Sequence, residues 1–155
     1  MKSLSYFMRE EKEEIISVPA PEGFVDEDGN ALMLEVRVLT NARIQEIFAN
    51  YRKRSIATNS KGVPYLSANN NEVIFKTERD NPRAVRHIIA EALVYPDLRD
   101  KELMGFYKCN DITEMPSKVF PRTDEFNHVN RMVMKVLGVG DDAAPDDELM
   151  DEAKN

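Results

Sequence analysis

The sequence predicts an α+β fold: a small antiparallel β-sheet that begins with an N-terminal hairpin, packed against a bundle of about four to five helices. Apolar residues alternate along one segment near the N-terminus, as in a half-buried strand. In several later segments they recur every three or four residues, as in amphipathic helices. The chain has 155 residues, 42% hydrophobic and 32% charged, which is enough for one hydrophobic core.

The N-terminal hairpin is predicted from two strands and the turn between them. Residues 14–18 (EIISV) form the first strand, and the prolines that follow end it because proline has no N–H to donate. Residues 32–39 (LMLEVRVL) form the second strand, with every other residue apolar. Ahead of this hairpin, residues 2–14 are short and mixed, and we expect them to dock as an arm through Leu4, Tyr6, Phe7 and Met8.

The polar residues 26–30 (DEDGN) admit two interpretations, a calcium loop or a turn. An EF-hand loop that began at Asp26 would need glycine at its sixth position and a bidentate glutamate at its twelfth. Those positions hold Ala31 and Arg37. The segment is therefore predicted to be a turn that joins the two strands.

Helices are predicted in the remaining chain. The first carries an apolar stripe, begins near Asn41 and ends near Ser55. Residues 56–72 are read as a surface loop, with residues 63–66 and 73–77 pairing as a hairpin. A second helix runs from Asn81 to the Tyr95-Pro96 pair. Shorter helices follow near residues 100–106 and 111–119, and a last one from residue 123 ends at Gly138 and Gly140.

Charge divides the chain into two parts: residues 1–140, predicted to be one domain, and an acidic tail of residues 141–155, predicted to be disordered. The tail holds seven acidic residues against Lys154, whereas the rest has 21 acidic and 20 basic residues. Without a basic excess, nucleic-acid binding is disfavoured. No apolar run approaches the length of a membrane span, and no signal peptide is recognisable, so we expect a cytoplasmic protein without a membrane partner.

The reactive side chains of the sequence lie outside the known motifs for catalysis, metal binding and cofactor binding. His87 and His128 lack a partner at ligand spacing, and Cys109 has no paired histidine. The glycines form no nucleotide-binding pattern. We therefore predict no catalytic residue, no metal site and no cofactor. A metal-assisted hydrolase would require Asp26, Asp28 and Asp97 to converge in space.

Three segments together resemble the XkdN-like tail assembly chaperones of tailed bacteriophages and prophages. They are residues 4–10 (LSYFMRE), the turn at residues 26–30 leading into residues 34–37 (LEVR), and residues 92–103 (ALVYPDLRDKEL). The segments occur in the expected order, and the resemblance covers about residues 3–140.

The resemblance implies a non-catalytic chaperone that binds the apolar helical tape measure protein, helps tail tube subunits assemble around it and is absent from the finished virion. The alternative is a small structural tail or tail-terminus component that stays in the virion. Methionine-rich helices suit an adaptable groove, although most methionines are expected in the core. The predicted partner-binding groove lies between the first and last long helices and contains Ile44, Ile47, Phe48, Tyr51, Met132, Val133 and Val136.

Members of the family are often made in two lengths by ribosomal slippage, which implies a longer, frameshifted form of this chain as a further partner. The last three residues, Ala153, Lys154 and Asn155, can be encoded by an adenine run that ends in a slippery heptamer. A coding sequence without such a run would remove this expectation.

Overall fold

The structure, a computed structural model, describes residues 2–139, in which two small antiparallel sheets accompany five α-helices. The strands are β1 (Ile15–Pro19), β2 (Met33–Arg37), β3 (Arg52–Ile56), β4 (Phe75–Arg79) and β5 (Leu93–Tyr95). The α-helices are α1 (Asn41–Asn50), α2 (Asn81–Ala92), α3 (Lys101–Phe106), α4 (Met115–Val119) and α5 (Thr123–Val136). Two 3₁₀ helices cover Leu4–Phe7 and Ile112–Glu114. The predicted α+β fold with an N-terminal hairpin is confirmed.

Helix α2 lies between two hydrophobic clusters. Its N-terminus is capped by Asp80, whose carboxylate accepts the backbone N–H of Arg83 at 3.3 Å, and Pro82 occupies the first turn. Ile89, Ala90 and Ala92 belong to a cluster with the sheet and α5, whereas Ala84 and Ile88 belong to a cluster with α1. A helix that is buried on more than one side must fit against several neighbouring elements at once. The position of α2 therefore constrains the rest of the core.

The first sheet has the strand order β1-β2-β5, with antiparallel pairing throughout. In β2 the side chains of Leu34 and Val36 are buried, whereas Met33 and Glu35 face solvent. This alternation agrees with the pattern in the sequence, since successive side chains of a strand point to opposite faces. The buried face belongs to the first cluster, together with Ile89 of α2 and Leu93 of the neighbouring strand β5.

The turn between β1 and β2 is organised by Asp26. Its carboxylate accepts the backbone N–H groups of Asp28 and Asn30, each at 2.9 Å, and these bonds lower the pKa of Asp26, the bond to Asn30 most. Gly29 supplies the left-handed backbone, with φ of +82°. Both carboxylate oxygens face groups of the turn itself, so these residues form a turn, as predicted, and not a calcium loop.

Two predicted helix ends are wrong. Helix α1 ends at Asn50 instead of near Ser55, because residues 52–56 are charged or polar up to Ile56 and pair as β3. Helix α2 ends at Ala92 instead of reaching Tyr95, because residues 93–95 pair with β2. A residue that precedes proline disfavours helical backbone dihedral angles. Tyr95 precedes Pro96, so it suits this extended segment. The predicted acidic tail and the stop residue Gly140 lie outside the described residues.

Replacing Phe48 by alanine tests the second cluster. The phenyl ring is 1% exposed between α1 and α2, so Phe48→Ala should lower the free energy of unfolding by about 3–5 kcal/mol. The matched control is Phe106→Ala, because that ring is 77% exposed and should cost less than about 1 kcal/mol. Urea unfolding followed by circular dichroism measures both. Equal losses would contradict this assignment of the core.

Candidate partner-binding surfaces

The helices that carry the predicted binding residues do lie close together, since α1 and α5 share the second cluster with α2. However, the side chains of Ile44, Ile47 and Phe48 are buried in that cluster, and Val133 is buried in the first. Tyr51, Met132 and Val136 are partly buried. Among the methionines, Met115 and Met134 belong to the core. In this conformation the predicted set therefore packs mainly inside the protein, and its role in binding stays a prediction.

A polar network fastens α1 to α2. The guanidinium of Arg43 makes two hydrogen bonds to the carboxylate of Glu91, at 2.8 and 2.6 Å. The same carboxylate lies 3.3 Å from Nε2 of His87, whose Nδ1 lies 2.6 Å from the hydroxyl of Tyr51. Sequence reasoning found no partner for His87, although Glu91 follows four residues later, on the same side of the helix.

Arg43 controls the electrostatics of this network. Its hydrogen bonds, helped by His87, lower the pKa of Glu91 from its ordinary value of 4.5 to about 2, against the opposing effect of burial. The pKa of Arg43 is raised, chiefly by Glu91, and burial raises the pKa of Tyr51. A bidentate pair of this kind fixes geometry as well as charge, so the network acts as a clamp between the two helices.

Residues 52–79 form an antiparallel unit, here called the β arm. Strands β3 and β4 pair from Arg52 opposite Arg79 to Ile56 opposite Phe75. At its base, the backbone N–H of Asp80 donates to the carbonyl of Tyr51 at 3.0 Å. The predicted pairing of residues 63–66 with residues 73–77 is present in part, as a bridge between Leu66 and Val73.

The Asn- and Ser-rich residues of the β arm form its turns. The Asn59 side chain accepts the backbone N–H groups of Lys61 and Val63, at 2.9 and 3.0 Å. In the second turn, the carbonyl of Ser67 accepts the N–H of Asn71, which has a φ of +58°. Asparagine tolerates this left-handed conformation better than most residues. The polar composition therefore reflects turns within an ordered arm, where the sequence suggested a loop.

The β arm exposes large apolar side chains beside positive charge. None of these side chains is buried, and their exposed fractions lie between 36% and 55%: Ile56, Val63, Tyr65, Leu66, Val73, Ile74 and Phe75. The arm also contains six basic and two acidic residues, an excess of four positive charges. One basic group, the guanidinium of Arg54, lies 3.9 Å from the centre of the Phe75 ring. Sequence reasoning missed this surface, although the apolar residues at 63–66 and 73–75, inside an otherwise polar stretch, were a signal for it.

The carboxylates proposed for a hydrolase have separate structural roles. Asp26 organises its turn, and the Asp97 side chain accepts the backbone N–H of Arg99 at 3.0 Å. Within residues 2–139, no three histidine, cysteine or acidic side chains are arranged to hold a metal ion. The thiol of Cys109 donates to the carbonyl of Asp111 at 3.2 Å. The hydrolase alternative thus lacks the convergence that it requires.

These features define a class of protein. The chain is a small α+β protein whose β arm exposes several apolar side chains, and contiguous exposed apolar patches are typical of surfaces that bind other macromolecules. Over residues 2–139, no helix combines the length and the apolar character needed to cross a membrane.

Comparison with known proteins identifies the family. The model of the phage XkdN-like tail assembly chaperone protein family matches residues 4–154. The phage-like element PBSX protein XkdN of Bacillus subtilis (strain 168) is 29% identical over 154 residues, which cover 98% of this chain and 93% of that protein. The uncharacterized protein YqbN of the same strain is 28% identical over the same shares. The chain belongs to the XkdN-like family of phage tail assembly chaperones.

A solved structure shares the fold. The crystal structure of the protein YqbN superposes with a TM-score of 0.65 at 25% sequence identity, over 89% of this chain and 98% of that chain. The resemblance seen in the sequence is thus confirmed at the level of the family and of the fold.

Replacing Glu91 by glutamine tests the clamp through its pH dependence. Because folding lowers the pKa of Glu91, its carboxylate stabilises the protein above about pH 4.5, and this contribution is lost as the pH falls toward 2. Glu91→Gln should therefore cost on the order of 2 kcal/mol at pH 7, with the difference from the native protein shrinking between pH 5 and 2.

The control for this measurement is Glu46→Gln, because Glu46 also pairs with Arg43 but is more exposed. It should change the free energy of unfolding by less than about 1 kcal/mol. Urea unfolding at intervals from pH 2 to 7 gives both curves. A Glu91→Gln effect that stays constant over this range would rule out the clamp as a charged pair.

Proposed function

We propose that this protein is a non-catalytic chaperone of the host cytoplasm that binds the tape measure protein and assists assembly of the tail tube around it. Membership of the tail assembly chaperone family supports the general role. The tail tube protein and a longer, frameshifted form of this chain are further proposed partners. Which tail protein this chain binds depends on the surfaces that the fold leaves exposed.

The observation that carries this proposal is the apolar surface of the β arm. Side chains such as Tyr65, Leu66 and Ile74 are about half exposed on an element held in place by its own turns. An apolar helix that packs on this surface would shield its own apolar face from water, which is the role of a chaperone for a long helical protein. The positive charge of the arm would favour partner segments with acidic flanks.

The predicted groove between the first and last long helices is not the main binding surface in this proposal. Binding through Ile44, Ile47 or Phe48 would require α1 to separate from α2, because these side chains are buried. Tyr51 lies at the base of the β arm and keeps partial exposure. We therefore propose that a partner seated on the arm reaches Tyr51, while the buried residues support the surface from within.

A double substitution on the β arm tests the proposed binding surface. Leu66→Ser with Ile74→Ser removes two half-exposed apolar side chains without opening the core, so the fold should survive. Co-expression with the tape measure protein of the same phage, followed by pull-down, should show at least tenfold less captured partner, because the apolar contact is lost.

The matched control is Ile15→Ser with Val25→Ser, which removes equally exposed apolar side chains from the N-terminal hairpin. This variant should capture the tape measure protein like the native chain. If the native chain captures none, the proposed function is wrong. If both double variants lose binding equally, the β arm is not the binding surface.

The composition of purified virions separates a chaperone from a retained tail component. We expect mass spectrometry of complete virions to find the tape measure protein but not this chain. A stoichiometric amount of this chain in the particles would favour the structural alternative.

A further inference from the structure

The two strands of the β arm carry different charges on their two faces. Residues that lie opposite one another in an antiparallel pair project to the same face, and successive residues of a strand alternate between faces. The register of β3 and β4 therefore places six side chains on one face, here called the arginine face: Arg52, Arg54, Ile56, Phe75, Thr77 and Arg79. All three charged members of this face are arginines.

The opposite face pairs its lysines with an acidic side chain. It contains Lys53, Ser55, Lys76 and Glu78. The carboxylate of Glu78 lies 4.0 Å from Nζ of Lys53 and 3.8 Å from Nζ of Lys76. The positive charge of the two strands is thus concentrated on the arginine face.

The arginine face joins positive charge to an exposed apolar end. Arg52 and Arg54 are exposed along β3, and beyond them Ile56 and Phe75 lie opposite each other at the end of the strands. Guanidinium groups bind carboxylates through paired hydrogen bonds. A segment that fits this face therefore has carboxylates followed by apolar side chains.

The acidic tail of residues 141–155 (DDAAPDDELMDEAKN) has this composition. It holds seven acidic residues against Lys154. Its only large apolar side chains, Leu149 and Met150, directly follow three acidic residues at 146–148. The tail and the arginine face therefore match in charge and in the order of their charged and apolar groups.

The tail also begins within reach of the arm. Val139, the last described residue, packs against the second cluster, and so does Tyr51, which directly precedes β3. The five residues of β3 span about 17 Å. The ten residues from Val139 to Leu149 reach up to about 33 Å, which leaves about 16 Å to cross from Val139 to the base of the arm.

We propose that the acidic tail docks on the arginine face of the β arm of the same chain. The carboxylates of residues 146–148 contact Arg52 and Arg54, while Leu149 and Met150 cover the apolar end of the face. The docked tail occupies part of the arm surface, so a partner must displace it. This last consequence rests on the proposed function, whereas the docking itself does not.

Paramagnetic relaxation enhancement in the full chain tests the docking. In a Cys109→Ser background, Ala153→Cys carries a nitroxide label near the end of the tail. We expect the label to broaden the backbone amide signals of residues 52–56 and 75–79. A nitroxide carried by a separate, isotope-free copy should not broaden them, because the contact lies within one chain.

Two double substitutions on the arm test the arginine face. Arg52→Gln with Arg54→Gln should lower the enhancement at the arm amides about threefold or more, because two carboxylate contacts are lost. The matched control is Lys53→Gln with Lys76→Gln, which removes the same charge from the opposite face. This control should keep the native enhancement.

A triple substitution tests the tail and leaves residues 2–139 unchanged, so it cannot disturb the core. Asp146→Asn, Asp147→Asn and Glu148→Gln together should also lower the enhancement about threefold or more, because exposed charge pairs give the contact its strength. Raising the salt concentration to about 0.5 M should weaken the enhancement of the native chain in the same way.

Four results would overturn the docking. The first is a native tail label that leaves the arm signals sharp, and the second is broadening that survives the triple substitution. The third is an equal loss in both arm variants, because the contact would then follow total charge and not the arginine face. The fourth is broadening that arises only from the separate copy.

Capture of the tape measure protein tests the displacement separately. The triple tail variant should capture about threefold more of this partner than the native chain does, because its tail competes less for the arm. Equal capture by both chains would overturn the displacement. If neither chain captures the partner, the proposed function is wrong, and the relaxation measurements still decide whether the tail docks.

Discussion

Helix α2 packs on both of its apolar sides. Its position therefore fixes the positions of the sheet, α1 and α5 relative to one another. Its small residues Ala84, Ala90 and Ala92 are fully buried, which allows neighbouring elements to come close, and Ile88 and Ile89 extend into opposite clusters. A larger side chain at any of the alanines would force these elements apart, because protein cores tolerate extra volume poorly. The two clusters are therefore expected to form as one cooperative unit.

This arrangement separates the part of the chain that gives stability from the part available for contact. The clamp between Arg43 and Glu91 and the buried face of α1 hold α1 against α2. The β arm leaves this body directly after α1 and returns directly before α2, so both of its ends are anchored by the same pair of helices. A short, firmly anchored arm can present apolar side chains without requiring the core to open.

The sequence predicted the features that depend on local pattern. Alternation identified Leu34 and Val36 as the buried face of β2, and the spacing of Ile44, Ile47 and Phe48 identified a buried helical stripe. The same pattern cannot show whether the apolar stripe of a helix contacts a partner or the chain's own core. For this reason the stripe was predicted to line a binding groove between helices. The packing of the core depends on contacts between residues that are distant in the sequence, such as Phe24 with Phe120, and local pattern carries little information about these.

Hydrogen exchange of backbone amides tests most directly whether one core surrounds α2 with the β arm outside it. We expect the amides of Ile88 to Ala92 and of β2 to exchange slowest and together, through global unfolding, and those of residues 54–77 to exchange at least roughly 100-fold faster. Arm amides as protected as those of α2 would contradict this account. So would independent exchange of the α1 and sheet clusters, because it would show that α2 does not unite them.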